Sequence, residues 1–442
     1  MIKMFTNIQL QKFIESSNYK ETLSNKWKEN CINIIEDYII KNKCIIYGSK
    51  SIKMSLQMYN IKNNLVVNDI DIFSTKPKND IINMYELIIQ KDYCWSAKII
   101  MARNVGTFTL FVNECKLVDC TYIDKIVYDN ILTYKFNNFK FCNYYLSLSD
   151  YISILSDNES KYMLQKSIEK ISLIQNYFPL SVNDKIINNN NQINDEFINK
   201  LNNTLASASN NDNKINYINI LKNYPIIFLD NNGNCLNINN IENNFQIIKL
   251  NINGIKNDLP YYNKYININN DYCFTGSIVC NILSTKFKRY IPQYNKIELY
   301  VTDINYYLPI ICRLSTDNKI QVELGHSWSS LFKTFVKIKF DNIEIYLFEL
   351  SKQRQYFIYN SIHCCSVLLL YSHLLLNATL LDTTNYDLYI SILYFLIEIK
   401  NKYYLDDIFL NKLPYTIGLL ESQKKVNENI IEINKNDEYL IC

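Results

Sequence analysis

Glycine and proline are scarce, seven of each in 442 residues, which excludes collagen-like and Pro/Gly-rich disordered chains and makes each glycine worth asking about. Histidine is scarcer still. With His326, His363 and His373 the whole set, and no cysteine near them at ligand spacing, the sequence argues against a structural zinc site. Arginine occurs only at positions 103, 289, 313 and 354, so anions must be met mostly by lysine. The thirteen cysteines are an odd number without a CxxC pair, and Cys364 and Cys365 are the only adjacent couple. That is the usage of a reducing compartment. Long apolar runs are missing too. The first residues, MIKMFTNIQLQKFIE, have no extended apolar core, and the most apolar stretch, Cys364 to Leu370, is too short to span a bilayer. The expectation is a soluble, cytoplasmic protein without a membrane partner.

What is present is a folding composition: 48% hydrophobic, 20% charged, net charge +3. At 52.4 kDa the chain exceeds one ordinary core, so two domains are expected. Residues 1–180 hold 22 Lys and Arg against 18 Asp and Glu, while the remainder is near neutral, with 24 against 25. That imbalance is compatible with a polyanion partner and equally with ordinary surface charge. Asn, Ile, Lys and the 36 Tyr reflect an A+T-rich coding bias, so runs of them carry little information.

An amphipathic helix over 20–41 places Trp27, Cys31, Ile34, Ile35 and Tyr38 on one side. A strand Cys44 to Tyr47 follows, then a turn at Gly48-Ser49, a helix Lys50 to Met58 and a strand Leu65 to Phe73. Beyond Pro77 come a helix to about Gln90, apolar or alternating strands at Ala97–Ala102, Thr107–Val112 and Lys116–Tyr122, and helices Ser147–Leu155 and Glu159–Tyr177. Composition then turns to Asn, Asp and Ser. The domains expected are 1–181, an Asn-rich linker 182–217 with a short helix Phe197–Leu205 as its alternative, and 218–442. The last contains Thr275-Gly276-Ser277, an apolar run and Lys296 to Tyr300, which repeats the earlier order. Ser49 to Asp71 spans 22 residues and Ser277 to Glu298 spans 21; Asp71 to Asp119 spans 48 and Glu298 to Glu344 spans 46. A divergent internal duplication accounts for this. Lys296 stands where its first acid belongs, and Glu344 is the candidate for its third.

Residues two apart on a strand share a face, so Asp69 and Asp71 set two carboxylates side by side within an apolar run. Unpaired they repel, and hard oxygen donors favour Mg2+ or Mn2+ between them. Asp119, interrupting Leu117-Val-Asp-Cys-Thr121, is a third acid on a strand that could lie alongside. Three acids suffice for two cations about 4 Å apart, the arrangement for in-line displacement at phosphorus. Gly48 lets backbone approach a phosphate, and Ser49 opens a helix whose amides face the same anion.

Gly48-Ser49 followed by Asp69-Ile-Asp71-Ile-Phe-Ser resembles the signature of DNA polymerase β-like nucleotidyltransferases. Val105-Gly-Thr-Phe-Thr-Leu-Phe-Val-Asn113, Leu117-Val-Asp119-Cys-Thr-Tyr122, Tyr151-Ile-Ser-Ile-Leu-Ser-Asp157 and Leu173-Ile-Gln-Asn-Tyr-Phe-Pro179 narrow the resemblance to poly(A) polymerase catalytic subunits of large cytoplasmic DNA viruses. The resemblance implies an α+β fold: a polymerase β-like palm followed by a second, degenerate nucleotidyltransferase-like domain. It implies template-independent addition of AMP from ATP to an RNA 3′ end. Asp69, Asp71 and Asp119 would be catalytic and would hold two ions of Mg2+ or Mn2+. Gly48, Ser49, Lys50, Lys161 and Lys166 would meet the nucleotide, with Lys53, Thr107 and Thr109 as weaker candidates. The family pattern has a Trp-Arg pair and further Arg after Asp157, where this sequence has Lys161-Tyr162 and Lys166. RNA, ATP and a homodimer or accessory processivity subunit are the partners implied, in host cytoplasm or virion. A CCA-adding, oligouridylating or small-molecule nucleotidyltransferase and a non-catalytic RNA-binding subunit are the alternatives.

Overall fold

The computed structural model describes residues 26–92, 94–102, 106–123, 125–155, 163–180, 195–209, 226–229, 235–236, 272–315, 320–325, 331–340, 343–350, 354–403 and 415–417. Two mixed sheets organise them, and the second repeats the first.

Helix α1 (26–42) leads into β1 (Ile45–Tyr47), which turns at once into α2 (Gly48–Met58). Next come β2 (Ile70–Ser74), α3 (Pro77–Ile89), β3 (Ala97–Met101), β4 (Thr107–Val112), β5 (Cys115–Tyr122), α4 (Lys125–Asn130), β6 (Thr133–Phe136), β7 (Phe139–Cys142), α5 (Tyr144–Leu155) and α6 (Leu164–Tyr177). The strands lie in the order β3-β4-β5-β2-β1-β7-β6. One face packs on α1 and α3 through Trp27, Ile35, Ile46, Ile72, Ile81, Leu110 and Val118. The opposite face carries the polar residues considered below.

After α7 (Asp195–Ser209), β8 (Ile226–Leu229) and β9 (Cys235–Leu236), the pattern restarts. It runs β10 (Tyr272–Thr275), α8 (Gly276–Phe287), β11 (Ile297–Val301), α9 (Ile304–Cys312), β12 (Ile320–Gly325), β13 (Phe332–Phe340), β14 (Ile343–Leu350), β15 (Arg354–Tyr359), β16 (Ile362–Cys365) and α10 (Val367–Leu376). A π-turn, Asn377–Leu381, leads to α11 (Tyr386–Tyr403), and β17 (Tyr415–Ile417) follows. The second sheet contains the order β12-β13-β14-β11-β10-β16-β15, the first sheet's order element for element, extended by β8-β9 and β17. Parallel and antiparallel pairings match as well: β1 with β7 and β2 with β5 are parallel, as are β10 with β16 and β11 with β14.

The halves meet through the equivalent helices α5 and α10. Ser149 Oγ donates to Ser372 O and Ser372 Oγ to Ser149 O, each at 2.7 Å, a reciprocal pair that equates these two positions. Arg354, 1% exposed, reaches across to Ser153 O at 3.0 Å. Helices α10 and α11 are apolar because they are core, with Leu370, Leu374, Ile392 and Leu396 at 0% exposure. Among the described residues no single helix is long and apolar enough to cross a membrane.

Three sequence expectations need correction. The strand read as Leu65 to Phe73 begins only at Ile70, because β1 is three residues long and its pairing stops at Tyr47–Asp71. Residues 65–69 therefore lack a partner on that side, and Asp69 sits just before the strand rather than in it. Within the span read as linker, residues 195–209 form α7, the alternative reading; Leu201 and Leu205 are buried and Tyr272 Oη donates to Asn202 Oδ1 at 2.8 Å. Residues 182–194 and 210–217 lie outside the described residues. Glu344 does not stand at the third-acid position. Asp71 pairs with Asp119, and in the second sheet Glu298 pairs with Tyr346, 48 residues on as in the first. Glu344 lies two residues earlier, paired with Lys337 and Lys339 at 3.2 Å each.

Candidate active site

The polar face of the first sheet is assembled by register. Antiparallel pairing sets Tyr47 opposite Asp71, parallel pairing sets Asp71 beside Asp119, and Thr109 lies opposite Asp119. Asp69 joins from the segment entering β2. One ligand oxygen from each of Asp69, Asp71 and Asp119 lies within 4.8 Å of the others. These are hard anionic donors at the separation a small divalent cation bridges, so the residues fit a Mg2+ or Mn2+ site.

The chain feeding this cluster is constrained. Gly48 has φ +66°, and a Cβ there would lie 2.2 Å from Asp71 Oδ2. Only glycine therefore lets the first turn of α2 pass so close to the carboxylate. Ser49 is buried with its Oγ 3.2 Å from Tyr151 Oη on α5, and it accepts from Lys170 Nζ on α6. Lys170 also donates to Tyr151 Oη at 3.1 Å. A helix N-terminus, a serine hydroxyl and an ammonium group thus converge next to the acids.

Charge is strained in this region. Burial, then Asp119 and Asp69, push the Asp71 pKa well above the usual carboxylate range. Lys170 is lowered to about 8, by burial and then by Lys166. Lys116 lies 2.6 Å from both Asp69 Oδ2 and Asp119 Oδ2. Burial works against its charge, but Asp119 and Asp69 prevail and hold its pKa up. Thr109 Oγ1 donates to Asp119 Oδ1 at 2.6 Å. Beyond it Tyr47 Oη, Thr121 and Thr107 form a chain of hydroxyl contacts at 2.8 and 2.9 Å.

Of the residues singled out from the sequence, the structure brings together Asp69, Asp71, Asp119, Gly48 and Ser49, with Thr109 at the cluster and Thr107 behind it. Lys50 does not join them: it pairs at 2.6 Å with Glu36 of α1. Lys166 is exposed one turn before Lys170, and Lys161 lies outside the described residues. Lys170, Tyr151 and Lys116 were missed. Lys170 left one signal, a lysine on the helix's buried side with Ser167 and Ile174; for Lys116 there was none, since its direction depends on a strand irregularity.

The architecture is α+β: a mixed sheet carrying three clustered carboxylates, followed by a second sheet of the same topology. Comparisons with known proteins agree. Residues 33–159 match the family model of the poly(A) polymerase catalytic subunit, as the motif resemblance implied. A protein of Acanthamoeba polyphaga mimivirus named as a poly(A) polymerase catalytic subunit is 22% identical over 167 residues, 36% of this chain. The matched stretch spans 28% of that relative's length. The crystal structure of the Megavirus polyadenylate synthase superposes with a TM-score of 0.61 at 14% identity, covering 97% of this chain and 83% of that one. The shared fold therefore extends through both sheets.

Proposed function

We propose that this chain is a template-independent poly(A) polymerase, transferring AMP from ATP to RNA 3′ ends. The observation that carries the reading is the convergence of Asp69, Asp71 and Asp119 beside a Gly48-Ser49 helix start, within the segment that matches the catalytic-subunit model. Asp69, Asp71 and Asp119 would hold two divalent cations, which supply activation of the 3′ hydroxyl and charge stabilisation of the departing pyrophosphate. Gly48 keeps the backbone close enough for the triphosphate, Ser49 Oγ and the first α2 amides face it, and Lys170 supplies a positive charge there. Tyr151 holds Lys170 and Ser49 in place, and Thr109 orients Asp119.

The catalytic unit on this reading is residues 1–181, and 218–442 form a degenerate second unit. RNA is bound mostly through lysine point charges, so primer affinity falls steeply with salt. A giant-virus setting, in host cytoplasm or virion, follows from the relatives' source, and an accessory subunit or second copy is the expected partner class.

The test uses purified full-length protein, a short RNA primer and each NTP separately with Mg2+ or Mn2+. Extension by ATP alone is expected. Extension by another nucleotide selects a different nucleotidyltransferase, and no extension with any nucleotide selects a non-catalytic RNA-binding subunit. Asp69→Ala in folded protein must remove the activity.

A further inference from the structure

The β4–β5 ladder slips by one residue. Thr109 lies opposite Asp119 and Leu110 opposite Val118, but Phe111 lies opposite Lys116, leaving Leu117 as an inserted residue. Regular alternation would turn Leu117 to the side of Asp119 and Lys116 into the core. The bulge does the reverse: Leu117 and Val118, consecutive in sequence, are both buried against α3 at 1% and 0% exposure. Lys116 emerges on the carboxylate face, 2.6 Å from Asp69 Oδ2 and from Asp119 Oδ2. Bulges that re-aim one side chain are frequent beside active sites.

A divalent cation bound by the same two oxygens would sit about 2.0–2.1 Å from each. The ammonium and the ion cannot share that position. The second sheet has gone further in the same direction: Lys296 replaces the first acid and Lys337 replaces Thr109. Their Nζ atoms stand 5.7 and 5.2 Å from the ring of Tyr346, the residue at the third-acid position.

We propose that Lys116 is a built-in competitor of the catalytic cation, clamping Asp69 and Asp119 until a divalent ion displaces its ammonium group. The idea rests on the reading that these acids hold metal, and adds that the affinity of the site is set against an internal cation. A free ion must expel Lys116 unaided. An ion arriving as a nucleotide complex brings a triphosphate that gives the displaced ammonium a new partner, so cation and nucleotide bind with positive coupling.

The test is calorimetric titration of Mn2+ into the full chain without nucleotide or RNA. Lys116→Met should bind Mn2+ about three- to tenfold more tightly, the range expected for removing two partly exposed ion pairs. Mn2+ should also raise its unfolding temperature more than that of the parent. Lys98→Met, which breaks the exposed pair with Glu114, should leave Mn2+ affinity unchanged. A folded Lys116→Met with equal or weaker Mn2+ affinity overturns the proposal. If the variant folds in Mn2+ but not in EDTA, by circular dichroism, the proposal stands, because the acids then depend on the ion for their neutralisation. Misfolding of both Lys116→Met and Lys116→Gln in either buffer would assign Lys116 a structural role and overturn it. Asp69→Ala separates the two ideas: persistent Mn2+ binding there sinks the metal reading itself. Lost binding in Asp69→Ala with unchanged binding in Lys116→Met sinks only the competitor.

Discussion

The two sheets share a topology and differ in what they do with a carboxylate at the same place. Gly48 and Gly276 both have positive φ, +66° and +60°, and each lies against the acid of the neighbouring strand. In the first sheet that acid is Asp71, flanked by two more carboxylates, and among the described residues none donates a hydrogen bond to it. In the second it is Glu298, which accepts from Tyr294 Oη and from Asn377 Nδ2 at 2.9 Å, with His373 Nε2 3.1 Å away. Burial alone would raise the Glu298 pKa, but His373 and then Tyr294 bring it below the usual value. Its charge is fully answered by protein. On the proposed reading, catalytic capacity in this fold depends on leaving the acid beside the glycine turn without a protein donor, and losing it needs only neighbours that satisfy that acid.

The sharpest break in that comparison is by alanine. Asp69→Ala, Asp71→Ala or Asp119→Ala should each reduce primer extension by about a thousandfold or more while the protein remains folded, since removing one of three repelling charges does not harm folding. A folded Asp71→Ala that extended primer at near the parental rate would undo the site assignment.

Glu298→Ala should do the opposite. It strands buried His373, Asn377 and Tyr294, so unfolding in urea should show a loss of about 3 kcal/mol. Extension at saturating primer should stay at the parental rate at temperatures where the variant is folded. Loss of the chemical step without loss of fold or primer binding would mean that the second sheet contains a working centre.

Lys170 sharpens the comparison on the nucleotide side. Replacement by Met should raise KM for ATP about tenfold, the effect of one charge-assisted contact, and change kcat less. Because its pKa is lowered to about 8, binding a triphosphate should raise it and take up a proton between about pH 8 and 9. ATP titrations in buffers of different ionisation enthalpy measure that uptake, and its absence would place Lys170 outside the nucleotide site.

The smallest effect concerns acid stability of the second half. Asp382 pairs with Lys296 and accepts from Tyr389 Oη at 2.8 Å. Burial opposes its charge, but Lys296, Asn385 and Tyr389 take its pKa down to about 2. A depressed carboxylate stabilises above its unfolded pKa, ordinarily 3.8, and that stabilisation disappears as pH falls through about 2. Asp382→Asn should lose about 1 kcal/mol at neutral pH, after allowance for screening, and should narrow its deficit below pH 3. Urea midpoints at pH 7 and pH 2.5 would show whether the gap closes.

The sequence was legible where a residue's chemistry stands out against its own local run. Asp69, Asp71, Asp119 and Gly48-Ser49 stand out because acids in apolar runs and glycines in a glycine-poor chain need a reason. The duplication was legible from spacing, yet one position was misread: Glu344 has the right chemistry and the wrong register, and only the pairing of Glu298 with Tyr346 shows it. The Asn-rich stretch left α7 as only the alternative to a linker, because coding bias masks the periodicity that would reveal a helix. Lysines were the hardest. A long flexible side chain takes its partner from whatever lies within reach, so Lys50 went to Glu36 while Lys170, unremarkable in sequence, went to Ser49.

By itself the sequence determined the early element order through β5, the repeat and the carboxylates that interrupt apolar runs, since these depend on local periodicity and side-chain chemistry. The tertiary structure alone decided which partners each carboxylate meets. It brought His373 and Asn377 from α10 and the π-turn to Glu298, some eighty residues away in the chain, and through one bulge it set Lys116 between Asp69 and Asp119. Neither placement has a local signal, because each arises from the packing of elements whose separation the sequence does not encode residue by residue.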